Sequence, residues 1–66
     1  MEIYNRLKEL RAEKDMTLKQ VAEHLGISLS AYASYEHGTR EPSITLIKRM
    51  CRFFEVSADY LLGLEE

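Results

Sequence analysis

Sixty-six residues, 45% of them hydrophobic, amount to one small domain (1–66) with a single core and no room for a second. The lone cysteine, Cys51, excludes an internal disulfide framework and suits a reducing compartment, and no apolar run approaches the ~20 residues of a membrane helix. A formal charge of −2 argues against drawing the whole molecule to nucleic acid by charge and leaves only a local basic face.

The opening "MEIYNRLKEL" lacks the unbroken apolar core of a secretion signal, so a cytoplasmic location is expected. Ile3, Leu7 and Leu10 recur at helical spacing, which predicts an amphipathic helix from about Ile3 to Lys14, ending near Asp15. Thr17 with Gln20 forms a capping-box pattern, so helix two begins at Thr17 and buries Val21, Ala22 and Leu25. Gly26 stands where a chain leaving a helix often needs positive φ, and Ser28 then caps a third helix, Leu29 to Glu36, stopped by Gly38. In "TREPS", Pro42 discourages helix at Glu41 and Ser43 caps a fourth helix, whose buried stripe is read as Ile44, Ile47, Met50, Cys51 and Phe54. Ser57 caps a last short helix, "ADYLLG", in which Tyr60 and Leu61 close the core and Gly63 ends it.

Five helices and no strand signal predict an all-α bundle. Helices two and three, joined by a short Gly-containing turn, form a helix-turn-helix whose arms cross at ~90–120°, with its core at about residues 17–36. Ala22 either lets these helices approach closely or is simply a good helix former, and both readings stand.

Four stretches in order, "RLKELRAEKDMT", "VAEHLGIS", "SYEHGTREPS" and "VSADYLLG", carry a likeness that covers Ile3 to Gly63. The sequence resembles the Cro/cI-type (XRE) helix-turn-helix family of phage and bacterial repressors. The resemblance implies a lambda-repressor-like five-helix bundle that places its third helix in the major groove of double-stranded DNA and binds as a homodimer on half-sites about one duplex turn apart. It implies base contacts at Leu29, Ser30, Ala33 and Ser34, positions often held in the family by Gln, Arg, Lys or Ser. It also implies that Arg11 and Glu36 form a scaffold pair between helix one and the end of helix three, with Tyr32 and Cys51 at core positions. The chain departs from the pattern at Leu18, where the family commonly has a Gln that touches phosphate.

No bidentate base reader, each worth about 1–3 kcal/mol of discrimination, is present on helix three. Ser30 and Ser34 can each donate or accept one hydrogen bond, while Leu29 and Ala33 can rest against thymine methyl groups, which favours A·T-containing sites weakly. Phosphate contacts are expected from backbone amides at three helix starts, Thr17 to Lys19, Ser28 to Ser30 and Ser43 to Thr45, with Lys19, His37, Thr39 and Arg40 as added donors.

His24, His37 and Cys51 match no short chelating spacing, and no metal or cofactor is expected. The serines of helix three have no oriented general base, so neither catalysis nor a small-molecule substrate is expected. Lys48, Arg49 and Arg52 read as a solvated face. The expected function is a sequence-specific DNA-binding regulator of transcription, repressor- or antitoxin-like. The alternative is a protein-interaction module in which Leu18, Leu29 and Ala33 make helix three a docking face for a partner protein. Leu62, Leu64 and Phe53 are the candidate apolar groups for a weak two-fold contact.

Overall fold

A computed structural model of the chain describes residues 2–64. Its helices are α1 (Glu2–Glu13), α2 (Leu18–Leu25), α3 (Leu29–His37), α4 (Ile44–Phe54) and α5 (Ala58–Leu61). The last four start on one device: a Ser or Thr in extended conformation whose side-chain oxygen accepts from the amide three residues on. Thr17 takes Gln20, Ser28 takes Ala31, Ser43 takes Leu46 and Ser57 takes Tyr60, each worth about 1 kcal/mol. Gln20 closes the box by accepting from the Thr17 amide at 2.8 Å.

The ends are as local as the starts. Gly26 at φ 73° and Gly38 at φ 80° take the left-handed conformation that terminates α2 and α3. Glu55 does the same for α4 at φ 58°, without the freedom of glycine. The principal packing contacts close a ring: α1 rests on α3 and α5, α2 on α3 and α4, and α4 on α5. Inside it lie Ile3, Leu7 and Leu10 of α1, Val21, Ala22 and Leu25 of α2, Tyr32 and Tyr35 of α3, Leu46, Met50 and Phe54 of α4, and Leu61 of α5. The buried Ala22 sits on α2, which packs directly against α3.

The buried stripe of α4 differs from the sequence expectation. Leu46, Met50 and Phe54 point inward, Ile47 and Cys51 flank them half-buried, and Ile44 is 75% exposed. At about 100° per residue, Ile44 stands some 160° from Leu46, so once Leu46 faces the core Ile44 faces away. Tyr60 is half-buried and shields the core edge from beneath Arg6, whose guanidinium carbon lies 4.2 Å from the ring centre. Of the candidate two-fold residues only Leu64, 70% exposed, stands free of the core. Leu62 and Phe53 are half-buried, and Phe53 stacks on His24 and meets Phe54 edge-on. Among the described residues no helix is long and apolar enough to cross a membrane.

Alanine at Gly26 would meet only the tip of the Arg49 side chain, 4.0 Å from the new Cβ, so Gly26→Ala is expected to lose about 1–2 kcal/mol from backbone strain alone. At Gly38 the new Cβ falls 2.9 Å from the Tyr4 ring. Gly38→Ala is therefore expected to lose clearly more stability than Gly26→Ala in urea unfolding; equal losses would mean that the ring moves aside freely.

Candidate nucleic-acid interface

Helix α3 is oriented by its inner face, where Tyr32, Tyr35 and Glu36 are buried. The Glu36 carboxylate, 2% exposed, receives both arms of Arg11: Nε donates to Oε2 at 2.8 Å and Nη2 to Oε1 at 3.1 Å. The third nitrogen of the fork, Nη1, donates to the Met16 carbonyl at 3.0 Å, so one guanidinium ties α1, the α1–α2 link and α3 together. The hydrogen bonds to Glu36 raise the pKa of Arg11 against the opposing effect of its burial. The Tyr32 hydroxyl is buried near the same carboxylate without a hydrogen bond of good geometry. Desolvation first, and then the negative charge of Glu36, hold this phenol well above the ordinary tyrosine range.

The opposite face looks outward. Helical geometry places Ser30, Ala33, Ser34 and His37 away from Tyr32 and Tyr35. Ser30 and His37 are exposed, Ala33 and Ser34 half-buried, and Leu29 at the helix start is 48% exposed. The two serines differ chemically. Ser34 donates its hydroxyl hydrogen to the Ala31 carbonyl at 2.6 Å, while no such bond holds Ser30 among the described residues. The Ser34 carbonyl in turn accepts from the Thr39 amide at 3.0 Å and the Thr39 hydroxyl at 3.3 Å, so Thr39 also spends its hydroxyl hydrogen within the chain.

Each capping oxygen serves the third amide of its helix, which leaves the first two amides directed out of the helix start. These belong to Leu18 and Lys19 of α2, Leu29 and Ser30 of α3, and Ile44 and Thr45 of α4. Thr17, Lys19, Ser28 and Ser43 are all exposed at these starts. Leu18, where a polar residue was the family expectation, is half-buried and packs on the core. Arg40 is exposed, with its guanidinium carbon 5.5 Å from the centre of the Tyr35 ring, which braces it beside the end of α3.

Arg49 is exposed, as expected of a solvated face, and is in addition tied to the end of α2. It reaches from α4 to donate Nη1 to the Leu25 carbonyl at 3.3 Å, satisfying the end of α2 next to Gly26. Lys14 lies 5.1 Å from the centre of the Phe53 ring, on which His24 also stacks. The half-buried Cys51 thiol has its pKa pushed up by desolvation, which keeps it protonated and poorly nucleophilic.

Residues 7–61 match the sequence pattern of a family described as helix-turn-helix. The HTH-type transcriptional regulator AnsR of Bacillus subtilis is 42% identical over 62 residues, which cover 94% of this chain and 53% of the relative. The HTH-type transcriptional activator BcrR of Enterococcus faecalis is 38% identical over 66 residues, 100% of this chain and 32% of the relative. The cryptic phage CTXphi transcriptional repressor RstR of Vibrio cholerae serotype O1 is 35% identical over 63 residues, 96% of this chain and 56% of the relative. The chain thus spans about half the length, or less, of the curated relatives it matches.

Removing one partner of a buried ion pair strands the other, so Arg11→Met is expected to cost about 3–5 kcal/mol in chemical unfolding. The double change Arg11→Met with Glu36→Leu should recover most of that loss; a double variant no better than the single one would mean that the arginine stem, and not charge pairing, holds α3. Tyr32→Phe tests the neighbouring phenol. Because the folded state resists its ionisation, its contribution is intact below the ordinary tyrosine pKa of about 10 and is lost as pH rises above it. Tyr32→Phe is expected to gain stability on the parent between pH 8 and about pH 11, and a pH-independent difference would contradict the assignment.

Proposed function

We propose that this chain, which belongs to the helix-turn-helix family, is the operator-reading unit of a transcription regulator and lays the outer face of α3 in the major groove of double-stranded DNA. The observation that carries the reading is the division of α3: one side is fastened inward through Tyr32, Tyr35 and Glu36, while the other projects a narrow face of small polar groups. In this assignment Leu29, Ser30, Ala33 and Ser34 meet base edges. The outward amides at the starts of α2, α3 and α4 meet phosphates, with Thr17, Lys19, Ser28, His37, Thr39, Arg40 and Ser43 beside them. Thr39 contributes mainly through backbone and position, since its hydroxyl hydrogen is already engaged, whereas the Ser43 oxygen accepts from the Leu46 amide and its hydroxyl hydrogen can still donate to a phosphate.

A homodimer reading two half-sites one helical turn apart completes the proposal, because two-fold protein symmetry matches palindromic DNA. Among the relatives the named activity is activation in BcrR and repression in RstR, so operator occupancy is what this unit is proposed to share with both. A partner-docking role for the same scaffold draws on Leu29 and Ile44, the large apolar side chains left exposed at the starts of α3 and α4.

Fluorescence anisotropy with duplex DNA distinguishes the two. Binding is expected at about 50 mM salt, weakening with a log–log slope of roughly −2 to −3 per subunit for two or three cationic contacts. Lys19→Ala and Arg40→Ala should each weaken binding evenly across sequences, whereas Ser34→Ala should narrow the gap between preferred and random DNA. Absence of binding to any duplex at low salt would leave the docking role as the better account.

A further inference from the structure

The two serines on the outer face of α3 offer different chemistry, and this bears on what the proposed site selects. The Ser34 hydroxyl hydrogen lies in a 2.6 Å bond to the Ala31 carbonyl, at the short end of the range for hydroxyl donors. The backbone at Ser34 is pinned as well, because its own carbonyl takes two hydrogen bonds from Thr39 at the stop of the helix. To donate outward, Ser34 would have to give up its internal bond; to accept outward, it need only use a remaining lone pair. Ser30 is exposed and under no such constraint among the described residues.

Resting on the DNA reading above, we infer that Ser34 is an acceptor-only reader. It selects a base that presents an exocyclic amino group in the major groove, adenine N6 or cytosine N4, and disfavours guanine and thymine, whose carbonyl oxygens at the same place need a donor. Ser30 can act in either sense and adds little discrimination of this kind. Ala33, beside them on the same face, brings only a methyl group and leaves room for the helix to approach.

The test is selection from a random duplex library on the full chain, run in parallel with Ser34→Ala and Ser34→Lys, with thermal unfolding to show that each variant folds. In the parent, one base pair per half-site should favour adenine or cytosine by about three- to tenfold, the scale of a single hydrogen bond. Ser34→Ala should flatten that position alone, and Ser34→Lys, a pure donor, should turn it toward guanine. A second measurement uses the unaltered protein: replacing the selected adenine by purine, or the selected cytosine by pyrimidin-2-one, removes only the amino group. That change should weaken binding by the factor seen for Ser34→Ala and should have no further effect in that variant. Selection of guanine or thymine at the position Ser34→Ala alters, or no position altered by it, overturns the inference while the DNA reading survives. Failure to enrich any sequence removes the DNA reading and the inference with it.

Discussion

The bidentate contact between Arg11 and Glu36 is the constraint on which the placement of α3 depends. Nine residues make a helix too short to persist alone, since isolated helices under about 12–15 residues are marginal in water, so α3 exists because its inner face is docked. Apolar packing by Tyr32 and Tyr35 would dock it but tolerates some rolling about the helix axis. A planar guanidinium donating through Nε and Nη2 to two carboxylate oxygens does not, because both bonds weaken together when the helix turns. Rotation matters at this site: a roll of one residue position, about 100°, would exchange Ser30 and Ser34 for other side chains on the outward face.

Under the proposed reading, a chain of charge −2 would meet a polyanion through local groups and not through its net charge. Most of its arginines are occupied elsewhere. Arg11 holds Glu36, Arg49 closes the end of α2 and Arg6 lies over Tyr60, which leaves Arg40, braced on Tyr35, at the candidate interface. What remains positive at the candidate interface is local and largely main-chain: three helix starts whose first two amides are left outward by the same Ser/Thr cap that satisfies the third. One residue type at one position therefore shapes both the fold and the geometry of the proposed phosphate contacts.

Where local chemistry decides, the structure was legible in the sequence. The Thr17–Gln20 box, the caps at Ser28, Ser43 and Ser57, and the left-handed glycines at positions 26 and 38 each depend on residues within one helical turn. What was missed depends on distance or on competition. The stripe of α4 was placed on Ile44 because isoleucine is apolar, yet the ring of contacts turns Leu46 inward and leaves Ile44 to solvent. Arg49 on Leu25 joins residues 24 apart, and nothing in its neighbours marks it out. Glu55 had a usable signal: it occupies the slot after α4 and before Val56–Ser57 where a glycine or asparagine is usual, and the chain must turn there regardless. Of the candidate site, the face was readable from helical periodicity. The difference between Ser30 and Ser34 was not, because serine bonding to a carbonyl of its own helix competes with outward donation and the outcome appears only with coordinates.

The proposed reading face of Ser30, Ala33 and Ser34 would also have a thermodynamic character distinct from one built on Arg or Gln. Long side chains give up as much as about 1.5–2 kcal/mol of rotamer freedom when they settle on a base edge, whereas alanine gives up none and serine little. Short side chains therefore return less per contact but lose less in ordering, and they bring the helix backbone nearer the groove floor. The net effect shifts discrimination from individual hydrogen bonds toward the fit between a rigid ridge and the local width and deformability of the duplex. Such a ridge works only if the helix beneath it does not roll, which returns the burden to the buried carboxylate of Glu36 and the fork that grips it.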